Sequence, residues 1–351
     1  MGSYTPDPPT ALEEAHETHE TRPGKREVKY PFAFKNLDWE EYHCYRPRYP
    51  DSMLKMWLSY HKEHGNGRFH WAHDMGAGPG TVARRLGPYF NRILVSDAGR
   101  ANIRCAKDIL ASPSPPAFQT DLSKYVFLNS PAESVHISVP PSSIDFACVA
   151  MAFHYFDAEA AIRSIATMLK PGGTLAAVTY GFRLKFPGRP ELERLWYQAA
   201  SKESLRLIRE GLFPAAVRGL ANAMSGLDFV PIPTDFFKSG ARRIQVNVDE
   251  DELRPLCFVD EDKSCWEPAP SRVNPTDIKM FVKDDGWRRE ADVEWLKGFL
   301  ASCKMGFDHK TWETDKWKEF EAVVRSAGGK VTVEWPVAIV LATRNDRPVV
   351  W

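Results

Sequence analysis

The stretch Asp74-Met75-Gly76-Ala77-Gly78-Pro79-Gly80 decides the fold. It sets an acid and three alternate glycines directly after a strand-like start, and glycine tolerates positive φ and lets backbone lie flat against a ligand. Thr81-Val82-Ala83-Arg84-Arg85-Leu86 follows with Val82 and Leu86 four apart, so a helix is predicted to begin at once, its free N–H groups beside the turn. That is a nucleotide-cradling pattern. A dinucleotide fingerprint, Gly-x-Gly-x-x-Gly, would need Gly or Ala at position 81, where this chain has Thr. A nicotinamide-dependent dehydrogenase is therefore a distant reading.

Working outward, Arg92-Ile93-Leu94-Val95-Ser96-Asp97 is a short apolar run ending in an acid, a second buried strand. Asp97 falls near the offset of roughly 20 residues at which an acid meets a ribose in βαβ nucleotide sites. It also stands where it could cap the helix predicted over Ala101 to Leu110. Further strands are predicted at Tyr125 to Leu128, Ser143 to Met151 and Thr174 to Thr179. A helix over Ala158 to Leu169 precedes Lys170-Pro171-Gly172-Gly173, whose Pro and Gly are helix stop signals. Strands and helices alternate, so the sheet should be mostly parallel.

These motifs, in this order, carry a resemblance. Asp-x-Gly-x-Gly-x-Gly, Val-Ser-Asp, Pro131-Ala132-Glu133, Ile144-Asp145, Phe153-His154-Tyr155-Phe156 and Leu169-Lys170-Pro171-Gly172-Gly173-Thr174-Leu175 resemble the class I S-adenosylmethionine (SAM) methyltransferases. Tyr45-Arg46-Pro47-Arg48-Tyr49-Pro50, ahead of the glycine turn, is similar to the trans-aconitate methyltransferase-like branch. The resemblance is strong over residues 38 to 182 and weaker over the final strands. It implies an α/β, Rossmann-like fold: a mostly parallel seven-stranded sheet with an antiparallel C-terminal strand, plus an inserted lid. The implied cofactor is SAM, with S-adenosylhomocysteine (SAH) as product, and the implied partner is a small-molecule substrate met by a monomer or homodimer. For cofactor binding it points to Asp74, Gly76, Ala77, Gly78, Gly80, Asp97, Ala98, Ala132, Glu133, Ala150, Met151, Phe153, Tyr45 and Arg48. For substrate it points to Arg46, Tyr42, Tyr155 and Arg183.

Composition narrows the function classes. The 351 residues hold 46 basic and 46 acidic side chains, a formal charge of zero, so no electrostatic footprint for nucleic acid or a membrane surface is present. No apolar stretch is long enough to span a bilayer and the first residues are polar, which fits a cytoplasmic protein. The six cysteines include no Cys-x-x-Cys pair and the histidines form no recognisable ligand set, so no metal is expected. Residues 1–28, rich in Pro, Thr and Glu, are expected to be a disordered tail. Residues 29–182 should hold N-terminal helices and the cofactor-binding core, 183–313 a lid or substrate-binding insertion, and 314–351 a final helix and strand pair completing the sheet. Within the insertion, Arg243 to Val248 alternates like a strand. Its tryptophans and Tyr197 suggest a pocket for an apolar or planar molecule.

Methyl transfer from a sulfonium is an in-line displacement that needs no metal; the protein must align the reactants and exclude water. A hydroxyl nucleophile gains from a base, whereas a carboxylate is already charged at neutral pH. His154, after the fourth strand, is the candidate catalytic residue: an ordinary imidazole there could accept a proton, or the ring could only shape the pocket. Arg46 and Arg48, set among tyrosines, could pair with a carboxylate of SAM or of an acidic substrate. A protein of another class that binds SAM but catalyses a non-methylating cyclisation, or acts as a regulatory partner, is the alternative, because fold does not fix function.

Overall fold

The computed structural model describes residues 39–112, 121–209, 219, 222–223, 225–250, 269–303 and 306–349. The expected tail at 1–28, together with Cys257, Cys265 and Trp266, lies outside the described residues. Two helices, α1 (Trp39–Tyr45) and α2 (Asp51–His64), lead into β1 (Trp71–Met75), α3 (Thr81–Leu86), β2 (Arg92–Asp97), α4 (Arg100–Ala111) and β3 (Tyr125–Asn129). Then come β4 (Ile144–Ala150), α5 (Ala158–Met168), β5 (Leu169–Tyr180) and α6 (Pro190–Arg209). The remainder is β6 (Arg242–Val246), β7 (Ile278–Val282), β8 (Arg288–Asp292), α7 (Val293–Ser302), α8 (His309–Trp312), α9 (Asp315–Ser326), β9 (Lys330–Glu334) and β10 (Val337–Thr343).

Among the described residues the main sheet has eight strands, in the order β3-β2-β1-β4-β5-β10-β6-β7. The first five are parallel neighbours, and β10 runs antiparallel between β5 and β6. The strand order reverses between β1 and β4, where ligands of open α/β sheets bind beyond the carboxyl ends. Central strands are buried on both faces, and their period-two alternation divides them between two cores. Phe146 and Cys148 of β4 pack with Trp57 of α2 and Ala106 of α4, while Ala147 and Val149 pack with Ile162 and Ile165 of α5.

Two expectations change here. The sheet has eight strands where seven were expected, because the alternating segment assigned to the insertion is β6, which pairs with β10 and carries β7 beside it. Its buried Arg243 is held by Asp277, at 2.8 Å, and by the carbonyls of Leu227 and Val230. Those partners compensate a charge that burial alone would forbid. Of the two C-terminal strands expected to finish the sheet, only β10 does so. The strand β9 pairs instead with β8 in a separate two-stranded sheet, and Pro336 lies between β9 and β10.

The insertion's helices pack around aromatic rings. Trp196 of α6 lies 5.5 Å from Phe320 and 6.2 Å from Trp317 of α9, and its indole donates to the Phe182 carbonyl at 2.9 Å. Helix starts are fixed by side-chain caps: Asp157 for α5, Asp292 for α7 and Thr314 for α9. Each such cap stabilises its helix by about 1 kcal/mol. No helix among the described residues is long and apolar enough to cross a membrane.

Replacing fully buried Trp196 by Ala removes both the ring and its hydrogen bond, so urea unfolding should show a loss of about 3–5 kcal/mol. Tyr89→Ala, at a side chain 49% exposed, should stay within about 0.5 kcal/mol.

Candidate active site

The site is built on the turn after β1. Gly76 and Gly78 have φ of 65° and 54°, a conformation that strains any residue with a side chain. A Cβ on Gly76 would stand 2.7 Å from the Ala152 methyl, and one on Gly78 would stand 3.3 Å from the Trp39 ring. The Ala77 N–H donates to the Ser96 carbonyl at 3.0 Å. The Gly78 N–H donates to Asp97 Oδ2 at 2.9 Å, while Asp97 Oδ1 accepts from the Gly99 N–H and the Asn102 side chain. Asp97 therefore does not cap α4, whose N-cap is Gly99; it joins the glycine turn to the end of β2. Burial raises its pKa against these three donors.

Asp74 is 1% exposed. Its Oδ2 accepts the Ala83 N–H of α3 at 2.8 Å, and the Cys148 thiol lies against Oδ1 at 3.6 Å. It thus satisfies one of the orphan donors of α3, a helix with no other side-chain cap. Burial pushes its pKa up to about 7.

A cavity of about 520 Å³ opens above this turn, within the range of small-molecule and cofactor sites. Of the residues read from sequence, its wall includes Asp74, Gly76, Ala77, Gly78, Asp97, Ala98, Ala132, Ala150, Met151, Arg48, Arg46, Tyr42, Tyr155 and His154. Five stand outside the wall. Gly80 precedes α3 and faces Leu110. Phe153 is buried in the core against Phe156. Tyr45 packs over Gly298 of α7, Arg183 lies over the Tyr197 ring, and Glu133 accepts the Asp157 N–H at 2.9 Å. Nor do the insertion's tryptophans within the described residues line the cavity, because they are consumed in packing its helices; Trp39, Tyr49, Tyr180 and Phe182 line it instead.

Sequence reasoning missed Trp39, His43, Tyr49, Asn102, Tyr180 and Phe182. Tyr180 could have been found, since it ends the strand beside β4. His43 could not: its ring reaches Thr81 at 2.7 Å across 38 residues, closing α1 onto the start of α3.

Beyond β4 the wall becomes cationic and aromatic. Met151 has a φ of 54°, and its sulfur accepts the Tyr180 N–H at 3.1 Å, which ties the end of β4 to the end of β5. The His154 ring lies 4.0 Å from that of Tyr155. Burial, reinforced by the Arg46 charge, pushes His154 down to about 3, far from the ordinary imidazole value expected from sequence. It is neutral at physiological pH and a weak proton acceptor. Burial holds the hydroxyls of Tyr49, Tyr155 and Tyr180 protonated, as donors. Among the described residues no cluster of His, Cys, Asp and Glu could hold a metal ion.

Residues 73–177, spanning β1 to β5 and hence the turn and the end of β4, match the model of a methyltransferase domain. The chain is a class I SAM-dependent methyltransferase. It is 27% identical to a methyltransferase of Claviceps purpurea over 91% of this chain and 95% of that one. It is 28% identical to methyltransferase gedG of Aspergillus terreus, over 88% and 92% of the two chains. With methyltransferase tpcM of Aspergillus fumigatus it shares 28% identity over 90% and 93%. A solved structure assigned as a type II methyltransferase, from Anaeromyxobacter dehalogenans, shares the fold at a TM-score of 0.50 and 21% identity, covering 86% of this chain and 99% of that one. The cavity fits the cofactor: a glycine cradle at positive φ, a carboxylate at the end of β2 and an aromatic cover from α1.

The raised Asp74 pKa carries a stability signature. Between its ordinary 3.8 and about 7, the folded methyltransferase holds a proton that the unfolded chain has released, so this contribution to stability is present below pH ~4 and lost as pH rises to ~7. Asp74→Asn removes that slope. Relative to the variant, the parent should lose on the order of 2–4 kcal/mol between pH 4.5 and 7.5 in urea titrations; equal slopes would show that the carboxyl is ionised throughout.

Proposed function

We propose that the methyltransferase moves a methyl group from SAM to an oxygen of a small organic acceptor, a carboxylate, phenol or enol of the kind found in secondary metabolism. The observation that carries this reading is one cavity with two ends. The glycine turn and Asp97 form the first; Arg46, Tyr42, His154, Tyr155, Tyr180 and Phe182 form the second. When bound, SAM supplies a methyl carbon made electrophilic by its sulfonium. Gly76, Ala77 and Gly78 would hold its methionine end, Asp97 and Ala98 its ribose, and Ala132 its adenine side. Ala150 and Met151 would border the mouth through which the acceptor meets the methyl group.

In this reading His154 positions the acceptor as a neutral hydrogen-bonding ring. Tyr155 and Tyr180 donate to acceptor oxygen, and α1 with α7 keeps water out. Calorimetric titration with SAM and SAH, followed by incubation of methyl-labelled SAM with carboxylic acids and phenols, tests the assignment. Label recovered in an ester or aryl ether supports it; label on nitrogen or carbon overturns the oxygen assignment.

Two substitutions separate the roles. Asp97→Ala should weaken SAH binding by about 1.5–3 kcal/mol, the value of a hydrogen bond to a charged group, and unchanged affinity would remove Asp97 from the ribose site. His154→Gln should lower kcat by less than about tenfold, with no acid limb near pH ~6.5 in the rate profile. A fall of about 10²–10⁴ would instead make His154 a general base.

A further inference from the structure

Among the described residues Arg46 is the one strongly buried cation in the cavity wall, at 5% exposure, and none of them gives its charge a counter-ion. Its Nη2 donates to the Ser302 carbonyl at 2.9 Å, its Nη1 makes a long 3.5 Å contact with the Tyr180 hydroxyl, and its Nε has no partner. Among the described residues no carboxylate pairs with it. Three rings surround it, Tyr42 at 4.6 Å, Phe182 at 5.6 Å and Phe299 at 5.8 Å. Cation–π contact stabilises a guanidinium only partly, and a buried charge is costly until paired and hydrogen-bonded. Most of the fork is therefore unspent.

Among the described residues, the groups that face Arg46 are Tyr42 from α1, Tyr180 from the end of β5, His154 and Tyr155 from the turn after β4, and Cys303 after α7. None brings a carboxylate.

Resting on the methyltransferase reading above, we propose that Arg46 binds the acceptor as an oxyanion, a carboxylate or phenolate, so that the oxygen reaches the methyl group already deprotonated and no protein base is needed. A carboxylate could also come from the methionine end of SAM. The placement favours the acceptor: Arg46 is fixed by α7 and the end of β5, and the packed rings of Tyr42 and Trp39 stand between it and the glycine turn. In the transfer, the ionised oxygen bonds to the methyl carbon as the carbon–sulfur bond breaks with its electron pair on sulfur. Anion and sulfonium become two uncharged centres with no proton to remove. The methylated product no longer pairs with Arg46, which favours its release. Arg46 is thus a specificity residue that selects the ionised acceptor.

A phenol whose ionisation is visible tests this without turnover. With the methyltransferase saturated by SAH, 4-nitrophenol is titrated against pH and its phenolate band recorded, for the parent, Arg46→Lys and Arg46→Met. SAH affinity is measured calorimetrically for all three. The parent should lower the probe's ionisation midpoint by about one unit, a tenfold preference for the phenolate. Arg46→Met should return the midpoint to its solution value, Arg46→Lys should keep part of the shift, and SAH affinity should stay within about threefold. An unshifted or raised midpoint in the parent, or no binding of the probe to the SAH complex, overturns the proposal. A loss of SAH affinity of about tenfold or more in Arg46→Met, with the probe's midpoint still shifted, assigns Arg46 to the cofactor carboxylate. Failure of the parent to bind SAH would instead strike the methyltransferase reading, so the two failures are told apart.

Discussion

The hydrogen bond from the Gly78 N–H to Asp97 is the constraint on which the site depends. It crosses from the turn after β1 to the end of β2, and the parallel register that aligns Met75 with Ser96 brings the two within 2.9 Å. With Asp97 so held, the glycines keep their positive φ and α3 starts beneath the cavity. The buried carboxyl of Asp74 meets the first turn of α3 from below. Two acids in one small volume serve different ends: one ties the turn to its neighbouring strand, the other satisfies a helix donor.

The opposite wall depends on packing. Helices α6, α7 and α9 bury Trp196, Phe299, Trp317 and Phe320 against one another, and this cluster fixes α7, from whose last turn Ser302 holds Arg46. The cation's position follows from aromatic packing remote from the glycine turn. That division separates a glycine turn fixed by backbone geometry from an opposite wall whose cation is held in place by the inserted segment. The neutrality of His154 is a consequence of both burial and the Arg46 charge.

How much of this was legible in the sequence differs by element. The glycine turn, β2, β4, the helix at Ala158 and the C-terminal helix were readable because their signals are local: steric freedom at glycine, apolar runs and stop residues. The residues around the turn and at the strand ends were brought together as expected, since strand-end positions in a parallel sheet converge by topology alone. Tyr45, Phe153, Glu133 and Arg183 stand outside the cavity wall for one reason: adjacency to a motif does not say which way a side chain points.

The sequence by itself determined the fold class and the glycine turn, because each rests on backbone geometry set within a few residues. Only the tertiary structure decided that the strand carrying Arg243 belongs to the main sheet, since its counter-ion Asp277 lies 34 residues away. It also decided that the insertion's tryptophans pack helices while Trp39, Tyr49 and Tyr180 line the cavity, and that Arg46 is buried without a counter-ion beside a neutral His154. Burial and charge compensation are sums over neighbours distant in the chain, and no local pattern contains them.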